Sequence, residues 1–281
     1  MGIIKPPPVT GVIGLPDGQK EAGQRVDFRP NQFELLIETK GYRIAWSRAS
    51  FCPCKSPAAQ STQADPNCQI CGGDGFLYFR PSGYAPPLEA GTLDPLQAHI
   101  LDLYRAVIIR GVVTSVARNV EAYDRIGAWM FGSALCTVRH QNKINYYDRL
   151  IFLDSLVAHS QIVDVADPSK PFRAHYPIAE VNLLLDAAGK RYTSGSDFCL
   201  NEDGAIEFFP AKAGPVGRYA VHYHYHPVWL VKEQAHLVRE SLLKFKKSPN
   251  QLVSPRGDPQ HLPIQAMIQL DYLAAQDGKE V

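Results

Sequence analysis

The sequence predicts a mainly β protein, in which a β-barrel or sandwich carries a cysteine-bearing hairpin insertion and extended N- and C-terminal arms. Two observations predict this class. From about residue 97 to residue 231, short runs rich in β-branched and aromatic residues alternate with frequent turn signals. The chain also contains no β-α-β pattern, Gly-rich phosphate loop, G-x-S-x-G elbow or H-E-x-x-H motif. Nucleotide-binding α/β folds are therefore disfavoured.

Length and composition set the outer limits. The chain has 281 residues, of which 45% are apolar and 20% charged, so it can bury a large core and is too apolar to be disordered. A net charge of +1 provides no global attraction to nucleic acid or to an anionic membrane. No apolar run approaches membrane-spanning length, and the start has no signal-peptide core. We therefore expect folding in a cytoplasm and no membrane partner.

Four regions follow from these patterns along the chain. Residues 1–30 are rich in Pro and Gly, which predicts an extended arm. Residues 31–95 are predicted to hold a short helix, a strand and the cysteine hairpin, whose knuckle spans 51–79. Residues 96–231 form the predicted barrel or sandwich. Residues 232–281 are interpreted as a C-terminal arm with a short helix.

Within these regions, particular residues predict turns and element ends. The first helix is expected to stop at Gly41, before an alternating strand that leads to the cysteines. Asp203-Gly204 lies between two apolar runs and predicts a tight hairpin turn, and Gly189-Lys190 predicts another. Cys136 and Cys199 lie inside strand patterns and are interpreted as buried thiols.

The C-terminal region is less regular. Residues 233–245 are compatible with a helix, although a final strand remains open. Residues 262–276 predict a short amphipathic helix. Between them, Lys244, Lys246 and Lys247 are interpreted as part of a solvated connector rather than a nucleic-acid patch.

Four of the six cysteines occur within twenty residues, as Cys52-x-Cys54 and, after thirteen residues, Cys68-x-x-Cys71. Zinc prefers a tetrahedron of thiolates, and two close cysteine pairs joined by a loop can supply one. The intervening loop is rich in Ser, Ala, Pro and Gln and has little to bury, so a metal would have to close it. The sequence therefore predicts one structural Zn²⁺ per chain, bound by these four side chains.

The residues around the cysteines bear on this prediction in opposite directions. Gly72 and Gly73 follow the second pair and would let backbone N–H groups turn toward sulfur. Pro53 makes the first pair tight and removes one such donor. Disulfides and free thiols remain alternatives, although a cytoplasmic origin disfavours disulfides. Redox chemistry is disfavoured because no helix follows the second pair, and catalytic zinc because four cysteines close the coordination sphere.

Two other groups of residues invite a catalytic interpretation. His222, His224 and His226 share one strand face, but three alternate positions span about 13 Å, too far for one ion without a bend. A half-exposed strand face, or an interface that responds to pH, is the simpler interpretation. Asp148 and Arg149 follow two tyrosines and are interpreted as a turn into the next strand. No catalytic constellation emerges, and we expect no enzymatic activity.

Four segments together carry a resemblance to a known class of protein: FELLIETKGYRIAWSRASFCPC, NCQICGGDGFLYF, FGSALCTVRHQNKINYYDRLIFLD and EDGAIEFFPAKAGPVGRYAVHYHYHPVWLV. Their order, a cysteine knuckle followed by a β domain, resembles virion structural proteins of tailed bacteriophages, in particular those of the neck and head-to-tail connector. The resemblance covers roughly residues 30 to 231.

This resemblance implies a non-catalytic subunit of a ring at the neck or collar, assembled in the host cytoplasm and located in the virion. Its partners would be copies of itself and neighbouring portal, connector or tail proteins. The alternative is a nucleic-acid-binding protein that uses the zinc knuckle. The knuckle loop carries only Lys55 as a basic residue between its cysteine pairs and has no interleaved aromatics, so we expect no specific nucleic-acid partner.

Overall fold

A computed structural model of the chain describes residues 30–54, 64–71, 73, 75–89, 91–115, 133–212, 214–236, 240–242, 259–261 and 263–271. These residues form two α-helices and fifteen strands, which confirms the mainly β class. The helices are α1 (Pro30–Lys40) and α2 (Pro95–Leu103). The strands are β1 (Tyr42–Phe51), β2 (Phe76–Phe79), β3 (Val107–Ser115), β4 (Ser133–Val138), β5 (Arg149–Phe152), β6 (Val157–Val165), β7 (Glu180–Asp186), β8 (Arg191–Tyr192), β9 (Phe198–Leu200), β10 (Ile206–Phe208), β11 (Gly217–Tyr225), β12 (Val228–His236), β13 (Glu240–Leu242), β14 (Pro259–His261) and β15 (Ile264–Leu270).

Six antiparallel strands close into a barrel in the order β1-β3-β4-β15-β12-β5, because β5 pairs back onto β1. Alternate residues along each strand point into the barrel. On β1 these are Ile44 and Trp46, and on β5 they are Leu150 and Phe152. These side chains join a buried cluster that fills the interior, so the barrel is a packed core rather than a channel.

A second sheet, with the strand order β6-β11-β7-β8, is inserted between barrel strands β5 and β12. Its buried face carries tyrosines of β11, including Tyr219 and Tyr223, and packs against the outer wall of the barrel. Ala45 of β1 and Ile151 of β5 contribute from the barrel, and Ile100 contributes from α2. Strands β1 and β5 therefore bury both faces, one in each core. Neither helix is long and apolar enough to cross a membrane.

The C-terminal region differs from its prediction. The helix expected over residues 262–276 is wrong for Ile264–Leu270, which is strand β15 and pairs with both β4 and β12. Ile264, Ala266 and Ile268 contact the barrel core, and this period of two belongs to a strand. A short apolar run is ambiguous between helix and strand until its pairing partners are known. This segment closes the barrel and is not an arm.

The remaining boundaries are also clearer in the structure. For the described part of residues 233–245 the strand alternative is correct, because β12 continues to His236 and β13 covers Glu240–Leu242. Strand β1, from the region assigned to the cysteine hairpin, is a barrel strand. The predicted N-terminal arm lies outside the described residues up to residue 29, and α1 begins at Pro30. The lysines of the basic connector also lie outside the described residues.

The predicted hairpins form. Strands β9 and β10 pair with Leu200 opposite Ile206, so the connecting loop has five residues rather than the two of a primed turn. The side chain of Asn201 accepts hydrogen bonds from Asp203 N and Ala205 N at 3.0 and 2.9 Å and holds the loop. Gly204 has φ +71°, as a turn glycine should. Gly189, with φ +80°, lies between β7 and β8.

We predict that Gly204→Ala destabilises the protein much more than Gly189→Ala. Both changes place a side chain at positive φ, which costs about 1–2 kcal/mol. At Gly204 the new Cβ would also lie 2.6 Å from Ile178 N, whereas nothing lies within 4 Å at Gly189. The added clash should cost a further 1–3 kcal/mol or so. Equal losses in urea-unfolding free energy would contradict this steric account.

We also predict that a chain ending at residue 263 loses the barrel, whereas a chain ending at residue 271 keeps it. The first truncation removes β15 and leaves β4 and β12 without a partner between them. The second removes no described strand. Circular dichroism and thermal unfolding of both truncated chains measure the difference. A cooperative, native-like transition for the shorter chain would show that the barrel does not need β15.

Candidate metal centre

The four clustered cysteines lie at the far end of the hairpin formed by β1 and β2. The two strands pair from Arg48 opposite Phe79 to Phe51 opposite Phe76, as the sequence predicts. The pairing continues one step further, because Cys52 N donates to Gly75 O at 2.9 Å. The hairpin therefore delivers Cys52 directly from a strand end.

The structure brings the four predicted ligands together. Their sulfur atoms all lie within 4.8 Å of one another, with Cys52 Sγ 3.8 Å from Cys68 Sγ and Cys54 Sγ 3.5 Å from Cys71 Sγ. Sulfurs placed about 2.3 Å from a tetrahedral zinc ion would be separated by about 3.8 Å. Cys52 and Cys71 are buried, and Cys54 and Cys68 are half-buried. The four cysteines could therefore bind a metal ion.

Backbone N–H groups that follow the second cysteine pair donate hydrogen bonds to Cys71. Gly75 N donates to Cys71 Sγ at 3.2 Å, and Gly73 also donates a backbone hydrogen bond to Cys71. Gly73 has φ +101° and Gly75 has φ +73°, conformations that favour glycine. A Cβ at Gly73 would also lie 3.1 Å from Pro66 O. The predicted donor role holds for Gly73, and Gly72 lies outside the described residues.

The thiols of the cluster differ in acidity. Burial raises the pKa of Cys71, but hydrogen bonds from the backbone of Gly75 and Gly73 and from neighbouring thiols outweigh it and lower the pKa to about 6. Burial and the neighbouring thiols raise the pKa of Cys54 to about 12, against a backbone hydrogen bond from Asp65. Several thiolates in one place repel one another, and a cation removes this penalty. The thiols of Cys71 and Cys54 are thus shifted in opposite directions within one cluster.

Aromatic contacts attach this end of the hairpin to the barrel. The ring of Phe76 lies 5.5 Å from that of Phe51 and 4.3 Å from that of Tyr147, which precedes strand β5. Lys232, on β12, lies 5.7 Å from the centre of the Tyr147 ring. The base of the cysteine cluster on β2 therefore packs against the turn before β5, which Lys232 of β12 also contacts.

The histidines of β11 do not form a second cluster of this kind. His222 and His224 face away from the buried tyrosines, as predicted, and both lie 3.2–3.5 Å from Asn182 Nδ2. The prediction that His226 shares this strand face is wrong, because β11 ends at Tyr225 and His226 is buried, with Nδ1 3.2 Å from Phe152 O. Among the described residues, the four cysteines are the group of three or more potential metal ligands whose ligand atoms lie close together.

The Asp148-Arg149 pair lies at a turn that enters β5, as the sequence indicates. Asp148 is fully buried and accepts a hydrogen bond from Trp46 Nε1 at 2.8 Å. Arg149 stacks 3.9 Å from the ring centre of Tyr78. Cys136 is buried in the barrel as predicted, whereas Cys199 is only half-buried.

Sequence reasoning missed Asn182 and Glu180, which contact the histidines. His222 pairs with Leu183 and Tyr223 with Val181, so Asn182 lies at a β-bulge of β7. Glu180 Oε2 lies 3.2 Å from His224 Nδ1. A bulge leaves no reliable signature in a single sequence, and cross-strand neighbours depend on the register. No protein-family model matches the chain, and no curated protein matches it.

We predict that the natively purified protein carries about one metal ion per chain, because the four sulfurs form one compact set. Cys68→Ser should abolish binding and expose residues 51–79 to limited proteolysis while the barrel keeps its cooperative unfolding transition. Cys199→Ser, which changes a half-buried thiol outside the cluster, is the matched control. Elemental analysis provides the metal count. A metal-free protein with the four cysteines in disulfides would refute the metal site.

Proposed function

We propose that the chain is a non-enzymatic structural subunit of a tailed-bacteriophage virion, assembled as a ring at the neck or head-to-tail connector. The cysteine cluster holds one structural Zn²⁺ in this proposal, since four closely spaced thiolates suit zinc and leave no open position for catalysis. The partners are further copies of the chain and adjacent portal, connector or tail proteins.

The observation that carries this proposal is the exposure of large apolar side chains at the tip of the β1–β2 hairpin, beside the cysteines. Phe51 and Ile70 are next to Cys52 and Cys71 in the sequence, and their exposed fractions are 64% and 67%. Large exposed apolar side chains at the tip of a hairpin favour contacts with other proteins. A closed metal site would hold these side chains in a fixed geometry, which lowers the entropic cost of docking.

The resemblance to neck and connector proteins indicates which proteins would make those contacts. The cysteine motif and the β domain that carry the resemblance are physically joined, because β1 belongs to both the barrel and the hairpin. A ring uses two different surfaces of each subunit, and a barrel body with a rigid protruding hairpin offers them. The proposal therefore assigns the hairpin to the contact between subunits.

We predict that the purified protein forms rings visible by electron microscopy and that Ile70→Asp disrupts them. Ile70 lies between Cys68 and Cys71 and is largely exposed, so a charge there should weaken an interface without unfolding the barrel. Val216→Asp, at an equally exposed position before β11, is the matched control and should still assemble. Light scattering measures the mass of each species.

Particles of the encoding phage provide the second test. Antibody labelling should locate the protein at the junction of head and tail. Absence of the protein from purified particles, or rings unaffected by Ile70→Asp, would defeat the proposal. A salt-dependent gel shift with DNA would instead favour the nucleic-acid-binding alternative.

A further inference from the structure

Strand β6 is a free edge of the second sheet. Among the described residues it pairs with β11 alone, and no backbone hydrogen bond reaches its other side. In an antiparallel ladder, alternate residues direct their backbone N–H and C=O groups to opposite sides of the strand. About half of the residues of β6 therefore direct these groups away from the sheet, where another strand could pair with them.

This edge is long and regular. Strand β6 pairs with β11 over all of its nine residues without a register shift, from Val157 opposite Tyr225 to Val165 opposite Gly217. The β-bulge of this sheet lies between β11 and β7, away from β6. The opposite edge of the sheet is β8, which has only two residues. A regular edge with the length of β6 is a template for a further strand.

Strand β6 also lacks the residues by which edge strands commonly avoid such pairing. Its sequence, VAHSQIVDV, contains no lysine and no proline. Its one carboxylate, Asp164, lies near the strand end and is paired with Arg218 of β11, whose Nε lies 3.2 Å from Asp164 Oδ1. In the middle of the solvent-facing row, Ile162 is 71% exposed. The composition of the edge therefore favours pairing with another chain.

Side chains on both faces of β6 are incompletely covered. On the face toward the barrel, Gln161 and Val163 are half-buried. Val221 and Tyr219, which lie opposite them on β11, are fully buried. A strand added beside β6 would cover the half-buried side chains on one face and Ile162 on the other.

We propose that this edge binds a second copy of the chain, with the two β6 strands antiparallel about a twofold axis at Ile162. Ile162 then lies opposite its own counterpart, and the two largely exposed apolar side chains bury each other. Asp164 lies opposite Ser160 of the second copy, whose hydroxyl can donate to the carboxylate. Opposed residues belong to the same face, so the two second sheets form one continuous sheet.

The sequence of β6 favours this register over its neighbours. On the face toward the barrel, Gln161 lies opposite Val163 and the one histidine of the strand lies opposite a valine, so no like charges meet. An axis at Gln161 would place Ile162 opposite a serine, and an axis at Val163 would place it opposite Asp164. The strand is therefore complementary to itself, which favours a second copy over an unrelated extended segment.

The Ile70→Asp chain tests this inference without interference from ring assembly, because β6 shares no residue with the hairpin tip. Analytical ultracentrifugation should show a dimer of twice the 31.2 kDa chain mass. Adding Ile162→Lys should weaken dimerisation by at least about tenfold, because it removes an apolar cross-strand pair and opposes two cations. Leu88→Lys, at a 79% exposed position in the loop between β2 and α2, is the matched control and should leave the dimer unchanged.

A cysteine at the axis tests the register. With Ile162→Cys, the two introduced thiols lie opposite each other, at a Cα separation of about 4.5–5.5 Å that a disulfide can span. Mass spectrometry of the mildly oxidised dimer should find a disulfide that joins the two copies at position 162. Ser160→Cys should give no such bond with its own counterpart, because the two lie several residues apart along the paired strands. Thermal unfolding checks that each variant is folded.

A monomeric Ile70→Asp chain would overturn the inference and leave the edge to an extended segment of another protein. A dimer that Ile162→Lys does not weaken, or one without the disulfide at position 162, would also overturn it. If the protein forms no ring, the unaltered chain should show the same dimer. The twofold contact and the proposed place in a virion therefore succeed or fail independently.

Discussion

The buried carboxylate of Asp148 is the interaction on which both the barrel and the cysteine hairpin depend. It accepts hydrogen bonds from Trp46 Nε1 at 2.8 Å, Ala49 N at 2.9 Å and Asn145 N at 2.8 Å. Burial raises the pKa of this carboxyl, and the three N–H donors act in the opposite direction. Strand β1 stops pairing with β5 at Ser47 and continues with β2. Asp148 accepts hydrogen bonds from Trp46 and Ala49 on either side of that crossing, so it ties β1 to the turn before β5 there.

Strand β1 connects the barrel core, the core beneath the second sheet and the cysteine cluster. Its alternate side chains enter the barrel core and the core beneath the second sheet, and its end carries the first cysteine pair. Arg43, near the start of β1, lines a cleft beside α2. Because the strand is anchored on both faces, the cysteine cluster and the cleft are held at fixed positions on one rigid element.

The tip of the cysteine hairpin is the contact surface of the proposed ring. The hairpin tip presents exposed apolar side chains, which associate through burial of area. A chain with a net charge of +1 has little long-range attraction for any partner. Specific assembly would therefore rest on local surfaces such as the hairpin tip.

Much of this architecture is determined by the sequence alone. The spacing of Cys52, Cys54, Cys68 and Cys71, the mainly β class and the hairpin around Gly204 are local patterns, and local chemistry is sufficient to read them. Barrel closure, the strand identity of Ile264–Leu270, the bulge at Asn182 and the cleft beside Gln97 were decided by the tertiary structure. Each of these depends on pairing register or on side chains distant in sequence, and neither composition nor periodicity specifies which distant residues meet.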